Sequence, residues 1–194
     1  MKILIVIVLT LVTLFFIIGF ILPDNAHLER SIVIEARPAM VFRQLNTFNT
    51  IAAWSPWTKM DPDLKIEYFG PEFGVGALYT WDSDDPNVGK GTQEIIESRA
   101  DEYLKMEMTF VGMEDGKFFA EFILEPVDND TKLTWTYDGQ TNNFYWRYFM
   151  ASTDFMLGPM YEKGLEDLKI FIEGLPDIKI DPELMVLDST VVQE

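Results

Sequence analysis

Residues 144–173 read FYWRYFMASTDFMLGPMYEKGLEDLKIFIE, and the spacing of their apolar members decides how the remainder is read. Phe149, Thr153, Met156, Met160, Gly164, Leu168 and Phe171 or Ile172 recur at steps of three and four, which lines them along one side of a long helix. Arg147, Asp154, Glu162, Lys163, Glu166 and Lys169 fall on the other side. About six short β-type runs come before this helix, and it has no second helical layer to cover its stripe. It must therefore bury that stripe against the sheet the strands make, which predicts an α+β fold with an antiparallel sheet wrapped around a long C-terminal helix and a hollow between them. Gly158-Pro159 is expected to kink or briefly break the helix. Gly164, without a Cβ, is expected to allow close approach or to open space for a guest. Gly174 and Pro176 stop the helix. The tail, residues 176–194, holds short apolar runs that suit either an edge strand or a loose end.

Working back from the helix, the expected strands are Leu64–Phe69, Ala77–Trp81, Gly91–Glu97, Tyr103–Phe110, Lys117–Glu125 and Lys132–Tyr137, separated by turn-forming residues such as Gly70-Pro71 and Glu114-Asp115-Gly116. Alternation gives two of them clear faces. Leu104, Met106, Met108 and Phe110 oppose Tyr103, Lys105, Glu107 and Thr109; Leu133, Trp135 and Tyr137 oppose Lys132, Thr134 and Thr136. A sheet with one apolar and one wet face carries its helices on a single side. Earlier still, Leu28–Ala36 alternates as a first strand, and Pro38 opens a short helix through Met40, Val41, Phe42 and Leu45. A second short helix follows Asn49 and ends before Pro56. Trp54-Ser55-Pro56-Trp57 either gates a ligand mouth or caps the core.

Residues 3–22, ILIVIVLTLVTLFFIIGFIL, carry no charge, and at 1.5 Å per residue they cover about the 30 Å hydrocarbon core of a bilayer. A cleaved signal peptide would have a shorter apolar core and a small-x-small site, and Asp24 stands where a small residue belongs. The expected organisation is a transmembrane anchor over 3–22, one domain over 23–175 and a tail over 176–194. Lys2 marks the cytoplasmic end, so the domain faces a periplasm or the extracellular space.

Fifteen Lys and Arg stand against 32 Asp and Glu, a net charge of −17. That balance repels nucleic-acid phosphates and anionic headgroups, so no nucleic-acid partner is expected. Cysteine is absent, which excludes disulfides, thiolate nucleophiles and Cys-ligated metals. His27, the one histidine, lies beside the membrane segment, which argues against a catalytic triad or a His-ligated metal. Asp82, Asp84, Asp85 and Asn87 start like a calcium loop, but Pro86 breaks the spacing and no glutamate closes it. Gly89-Lys90-Gly91-Thr92 lacks the earlier glycine and following helix of a phosphate loop. Tyr79, Glu107, Asp154 and Glu162 are the remaining acid–base candidates; the plainer reading puts all four on wet faces, and for Glu107 the strand alternation says so. No catalytic residue, metal or cofactor is assigned.

Several short segments, in order, resemble the START-like superfamily, also called SRPBCC or Bet v 1-like, and within it the bacterial polyketide cyclase/dehydrase and lipid-transport proteins. They are Glu29-Arg30-Ser31-Ile32-Val33-Ile34, Ala36-Arg37-Pro38, Val41-Phe42, Trp54-Ser55-Pro56-Trp57, Gly74-Val75-Gly76-Ala77 with Trp81, Gly89-Lys90-Gly91 and Lys163-Gly164-Leu165-Glu166-Asp167-Leu168-Lys169. The resemblance implies a helix-grip fold with an apolar cavity between sheet and helix. It holds carriers, receptors, cyclases and regulators alike, so the function read here rests on the residues. The inward residues are unusually bulky and adaptable: Trp81, Met106, Met108, Phe110, Phe122, Trp135, Phe149, Met156 and Met160 are the expected lining of a site for a small hydrophobic or lipid-like molecule. The rival readings are an enzyme of the cyclase or dehydratase kind and an acidic module that docks onto an envelope protein.

Overall fold

The computed structural model describes residues 1–176. The expectation for the tail lies, except for Pro176, outside the described residues. Helix α1 (Lys2–Ile21) is followed by β1 (Asn25–Ile34), then α2 (Pro38–Leu45), α3 (Ile51–Trp54) and α4 (Pro56–Met60). Next come β2 (Lys65–Phe69), β3 (Leu78–Asp82), β4 (Lys90–Arg99), β5 (Tyr103–Phe110), β6 (Lys117–Val127), β7 (Asp130–Gln140) and α5 (Trp146–Glu173). The strands form one antiparallel sheet in the order β1-β7-β6-β5-β4-β3-β2. The meander is therefore closed by the first strand, which pairs with the last along its whole length, from Asn25 opposite Gln140 to Ile34 opposite Thr131.

Helix α5 lies on the apolar face beside β1 and runs the same way. Arg147 of its first turn is 3.9 Å from Asp24, while at the other end the Lys169 ammonium donates to the Val33 carbonyl and Glu173 accepts from the Glu35 N–H. Midway, the Arg30 guanidinium bridges Asp154 at 2.7 Å and Glu162 at 2.8 Å. Its side chain fits there because Gly158 has no Cβ, which would sit 2.6 Å from the Arg30 Nη2. These two acids are thus structural partners of Arg30. The helix stays a single element across Pro159, so of the expected kink or brief break the break does not occur.

The buried side of α5 is made by Met150, Thr153, Gly158, Tyr161, Gly164, Leu165, Leu168 and Ile172. This differs from the expected stripe chiefly at Met156, which is 50 % exposed. The reason is that α5 touches two layers, the sheet edge below and α3–α4 beside it, so the buried arc is centred on Tyr161 and Leu165. Trp57 of α4 meets Tyr161 edge-on at 6.1 Å, and Lys59 reaches Asp167 at 2.8 Å.

Helix α1 stands away from the domain over most of its length and, Lys2 apart, carries no charge, with a mean hydropathy of 3.2 over an 18-residue window. Its two threonines return their hydroxyls to the helix, Thr10 to the Val6 carbonyl and Thr13 to that of Leu9. It is long and apolar enough to cross a bilayer, a test that a signal sequence also passes.

Candidate functional site

The inner face of the sheet is sealed over most of its area and less fully covered at one corner. Register defines the ends: Asn25, Gln140 and Lys117 align at the end nearest α1, and Phe110, Gly91 and Trp81 continue that end across β5, β4 and β3. At the far end Ile34, Leu104, Leu133, Leu168 and Ile172 are fully buried. Along β5 the inward row runs Leu104, Met106, Met108, Phe110; the first two are buried and the last two half-exposed. In β3, Tyr79 is buried and Trp81 half-exposed. Helix α5 covers β1 and β7, and α2 to α4 fill in beside it. The corner at Trp81, Met108 and Phe110 is left only partly buried.

Beside that corner the space is filled by rings. Trp135 stacks on Tyr161 with centroids 4.0 Å apart and on Phe122 at 5.1 Å, while Trp54 and Trp57 close on it edge-first at 5.7 and 6.0 Å. Gly164 belongs to this packing: a Cβ there would lie 2.8 Å from Trp135 and 3.2 Å from Pro56. Of the two expectations for Gly164, close approach rather than space for a guest describes it, since its missing side chain is used to bring α5 down onto the Trp135 ring. A second run of rings lines the loose corner, Phe118 to Phe110 at 5.1 Å, Phe110 to Trp81 at 5.6 Å and Trp81 to Tyr79 at 5.6 Å.

The nine expected lining residues divide between these zones. Met106, Phe122 and Trp135 are in the closed part. Trp81, Met108, Phe110, Phe149 and Met160 are half-buried, and Met156 faces outward. Two surface depressions, of about 370 Å³ along one side of α1 and about 580 Å³ around Arg99, Tyr103 and Glu125, both lie outside the sheet–helix space.

Three polar features inside the fold escaped the sequence. Tyr79 was expected on a wet face but is buried, and its hydroxyl donates to Gln93 at 2.9 Å; burial pushes its phenol far above the ordinary range, so it stays neutral. Gln93 faces inward opposite Met108 and turns its amide N–H onto the Met106 sulfur at 3.0 Å. The buried indole N–H groups of Trp54 and Trp135 have no acceptor among the described residues, and an orphaned buried donor costs about 1–3 kcal/mol. Alternation along β4 around its irregularity between Ile95 and Glu97 is the only sequence signal for Gln93, and it is weak.

Elsewhere the chemistry is bland. His27 bonds Asp138 at 2.8 Å on the surface. The Asp82 to Asn87 turn is held by its own contacts, Lys90 to Asp82 and Asp85 to the Asn87 N–H. No group of three His, Cys, Asp or Glu side chains is placed to hold a metal ion among the described residues.

Residues 25–171 match the family model described as polyketide cyclase / dehydrase and lipid transport. The chain belongs to this family. Among solved structures, the aromatase/cyclase Zhui from a Streptomyces species is similar at a TM-score of 0.59 and 13% identity, over 77% of this chain and 94% of that one. Ginseng major latex-like protein 151 from Panax ginseng gives 0.59 and 14%, over 79% and 100%. A protein from Chromobacterium violaceum gives 0.55 and 17%, over 80% and 99%. At such identities the likeness establishes the fold. No curated protein matches in sequence. Family membership and the helix-grip fold together support a domain of hydrophobic-ligand-binding or cyclase type.

Proposed function

We propose that this polyketide cyclase/dehydrase and lipid-transport family member is a membrane-tethered binding or carrier domain, with α1 as the anchor and the domain outside the cytoplasm. It holds a small apolar or lipid-like molecule at the loose corner between β3–β5 and α5. The observation that carries the reading is the burial gradient on the inner face: the same apolar row that is sealed at Leu104 is left half-covered at Met108 and Phe110. Burial of a guest's apolar surface there supplies about 25 cal/mol per Å². Met108, Met113 and Met160 are the side chains best able to move aside for it. A guest with a carbonyl or hydroxyl would also give an acceptor to the unpartnered indoles of Trp54 and Trp135.

Native mass spectrometry of the detergent-extracted full chain tests this. The expected result is a bound mass in the lipid range that disappears in Phe110→Asp and Met108→Asp, both folded by circular dichroism. An apo mass alone, after extraction in a mild detergent with added phospholipid and fatty acid, would overturn the reading. One observation favours a second reading, catalysis of the cyclase or dehydratase kind: the neutral Tyr79 phenol and the Gln93 amide it bonds form a polar pair on the apolar inner face that can orient a substrate oxygen. Turnover of an apolar polyketide-like substrate that Tyr79→Phe abolishes would select it.

A further inference from the structure

We propose that the loose end of the domain rests in the headgroup layer of the bilayer that α1 spans, so that the guest passes directly between membrane and binding space. This inference depends on the tethered-carrier reading above. It starts from a run that the site did not use, FYWRYF at 144–149. Phe144 packs its ring over Gly19 of α1, where a Cβ would come within 2.3 Å of it, and contacts Phe16 and Phe20 at 5.6 and 5.2 Å. Tyr148 stacks on Phe15 at 4.8 Å and donates its hydroxyl to the Phe15 carbonyl. That residue lies about 9 Å down the helix from its end at Ile21. Arg147 donates to the carbonyls of Phe20 and Leu22, which caps the otherwise unpaired end of α1 and places a cation at the negative pole of the helix.

Aromatic residues with one cation, at the depth where an apolar helix meets water, are the composition of a membrane interface. The run continues to Thr153 without an acid, in a chain that has 32 of them. Tyr145 is nevertheless 66 % exposed. Across the sheet, the register places the β5–β6 turn at this same end, and its Val111 is 71 % exposed. Trp81, Met108 and Phe110, all only partly buried, lie at this same end of the sheet. The occupant that meets all of them at once is the lipid surface already fixed by α1. Zwitterionic lipid suits it best, because a net charge of −17 is repelled by anionic headgroups.

The chain has no cysteine, so single nitroxides can be placed by Tyr145→Cys, Val111→Cys, Val127→Cys and Val12→Cys in the full chain, reconstituted into phosphatidylcholine nanodiscs. Collision with oxygen and with a water-soluble nickel chelate reads depth at each site. The expected pattern is hydrocarbon-like exposure at position 12 and, at 145 and 111, nickel collision lower by about threefold than at 127, as for groups seated 5–10 Å into the interface. In addition, Tyr145→Asp with Val111→Asp should slow uptake of a fluorescent phosphatidylcholine by about tenfold while leaving the final occupancy unchanged. Nickel exposure at 145 and 111 equal to that at 127, with position 12 in hydrocarbon, would overturn the seating and leave the tether standing. Nickel exposure at position 12 would overturn the tether and the seating together. Shielding at 145 or 111 that comes with spin–spin broadening, removed by dilution with unlabelled chain, would assign the surface to a second copy instead, and an unchanged uptake rate would overturn the direct passage.

Discussion

Leu104 and Met108 sit on one strand, on one face, a single step of four apart, and truncating each to alanine should have opposite consequences. Leu104 has 0% exposure, so Leu104→Ala removes transfer energy and leaves a cavity that close neighbours such as Phe122, its partner across β6, cannot fill. Such changes cost about 2–5 kcal/mol, which for a domain of roughly 150 residues lowers Tm by about 5–15 °C. Met108 is only partly buried, so Met108→Ala forfeits only part of a side chain's burial, about 1 kcal/mol, or about 2–4 °C. Yet Met108 lines the loose corner, and its loss should cut lipid occupancy more than that of Leu104. The assay is urea unfolding of the full chain in micelles, followed by tryptophan fluorescence, with occupancy read in parallel by native mass spectrometry. The m-value should be unchanged in both variants. If Met108→Ala destabilises the lipid-free protein as much as Leu104→Ala does, the gradient from sealed to open is refuted.

Gly164→Ala should be harmful without touching any guest, because its Cβ meets Trp135 at 2.8 Å and Pro56 at 3.2 Å; a loss of about 1–3 kcal/mol in thermal or urea unfolding is expected, and a neutral result would show that α5 can lift from the Trp135 ring. The buried phenols of Tyr79, Tyr137 and Tyr161 are all pushed up, chiefly by burial. The unfolded chain ionises these groups near pH 10 while the folded chain does not, so stability is intact below that pH and falls as pH rises above it, by about 1.4 kcal/mol per pH unit for each such tyrosine. Ultraviolet titration of phenolate should show Tyr79, Tyr137 and Tyr161 ionising only with unfolding; their reversible ionisation in a folded protein would contradict the packing.

Much of this architecture was legible from periodicity alone. The long helix was expected over 144–173 and is found over Trp146–Glu173, because a 3.6-residue pattern sustained over so many turns has no competing interpretation. The β5 and β7 faces were legible for the same reason at period two. What stayed hidden depends on contacts between distant parts of the chain. Met156 was expected inside and faces outward because the sequence does not show that α3 and α4 press on the helix from the side. Tyr79 fell on the wrong face because β3 is five residues long, too short for alternation to choose. Arg147 looked like an ordinary wet-face charge, and its work of capping α1 links residues 125 and 127 positions apart. Gly164 was ambiguous in principle, since a missing Cβ fits either a cavity or a close approach; only the position of the Trp135 ring decides it.

The central claim, that a guest seats between β3–β5 and α5, is tested most directly by photolabelling. The full chain in phosphatidylcholine nanodiscs would be incubated with a diazirine-bearing fatty acid or phospholipid, irradiated, and the adducts mapped by peptide mass spectrometry. The account expects labels on Trp81, Met108, Phe110 or Phe149, competed away by unlabelled lipid. Labels confined to α1 and the exposed surface, with the peptides of β3, β5 and the first half of α5 unmodified inside the fold, would contradict it.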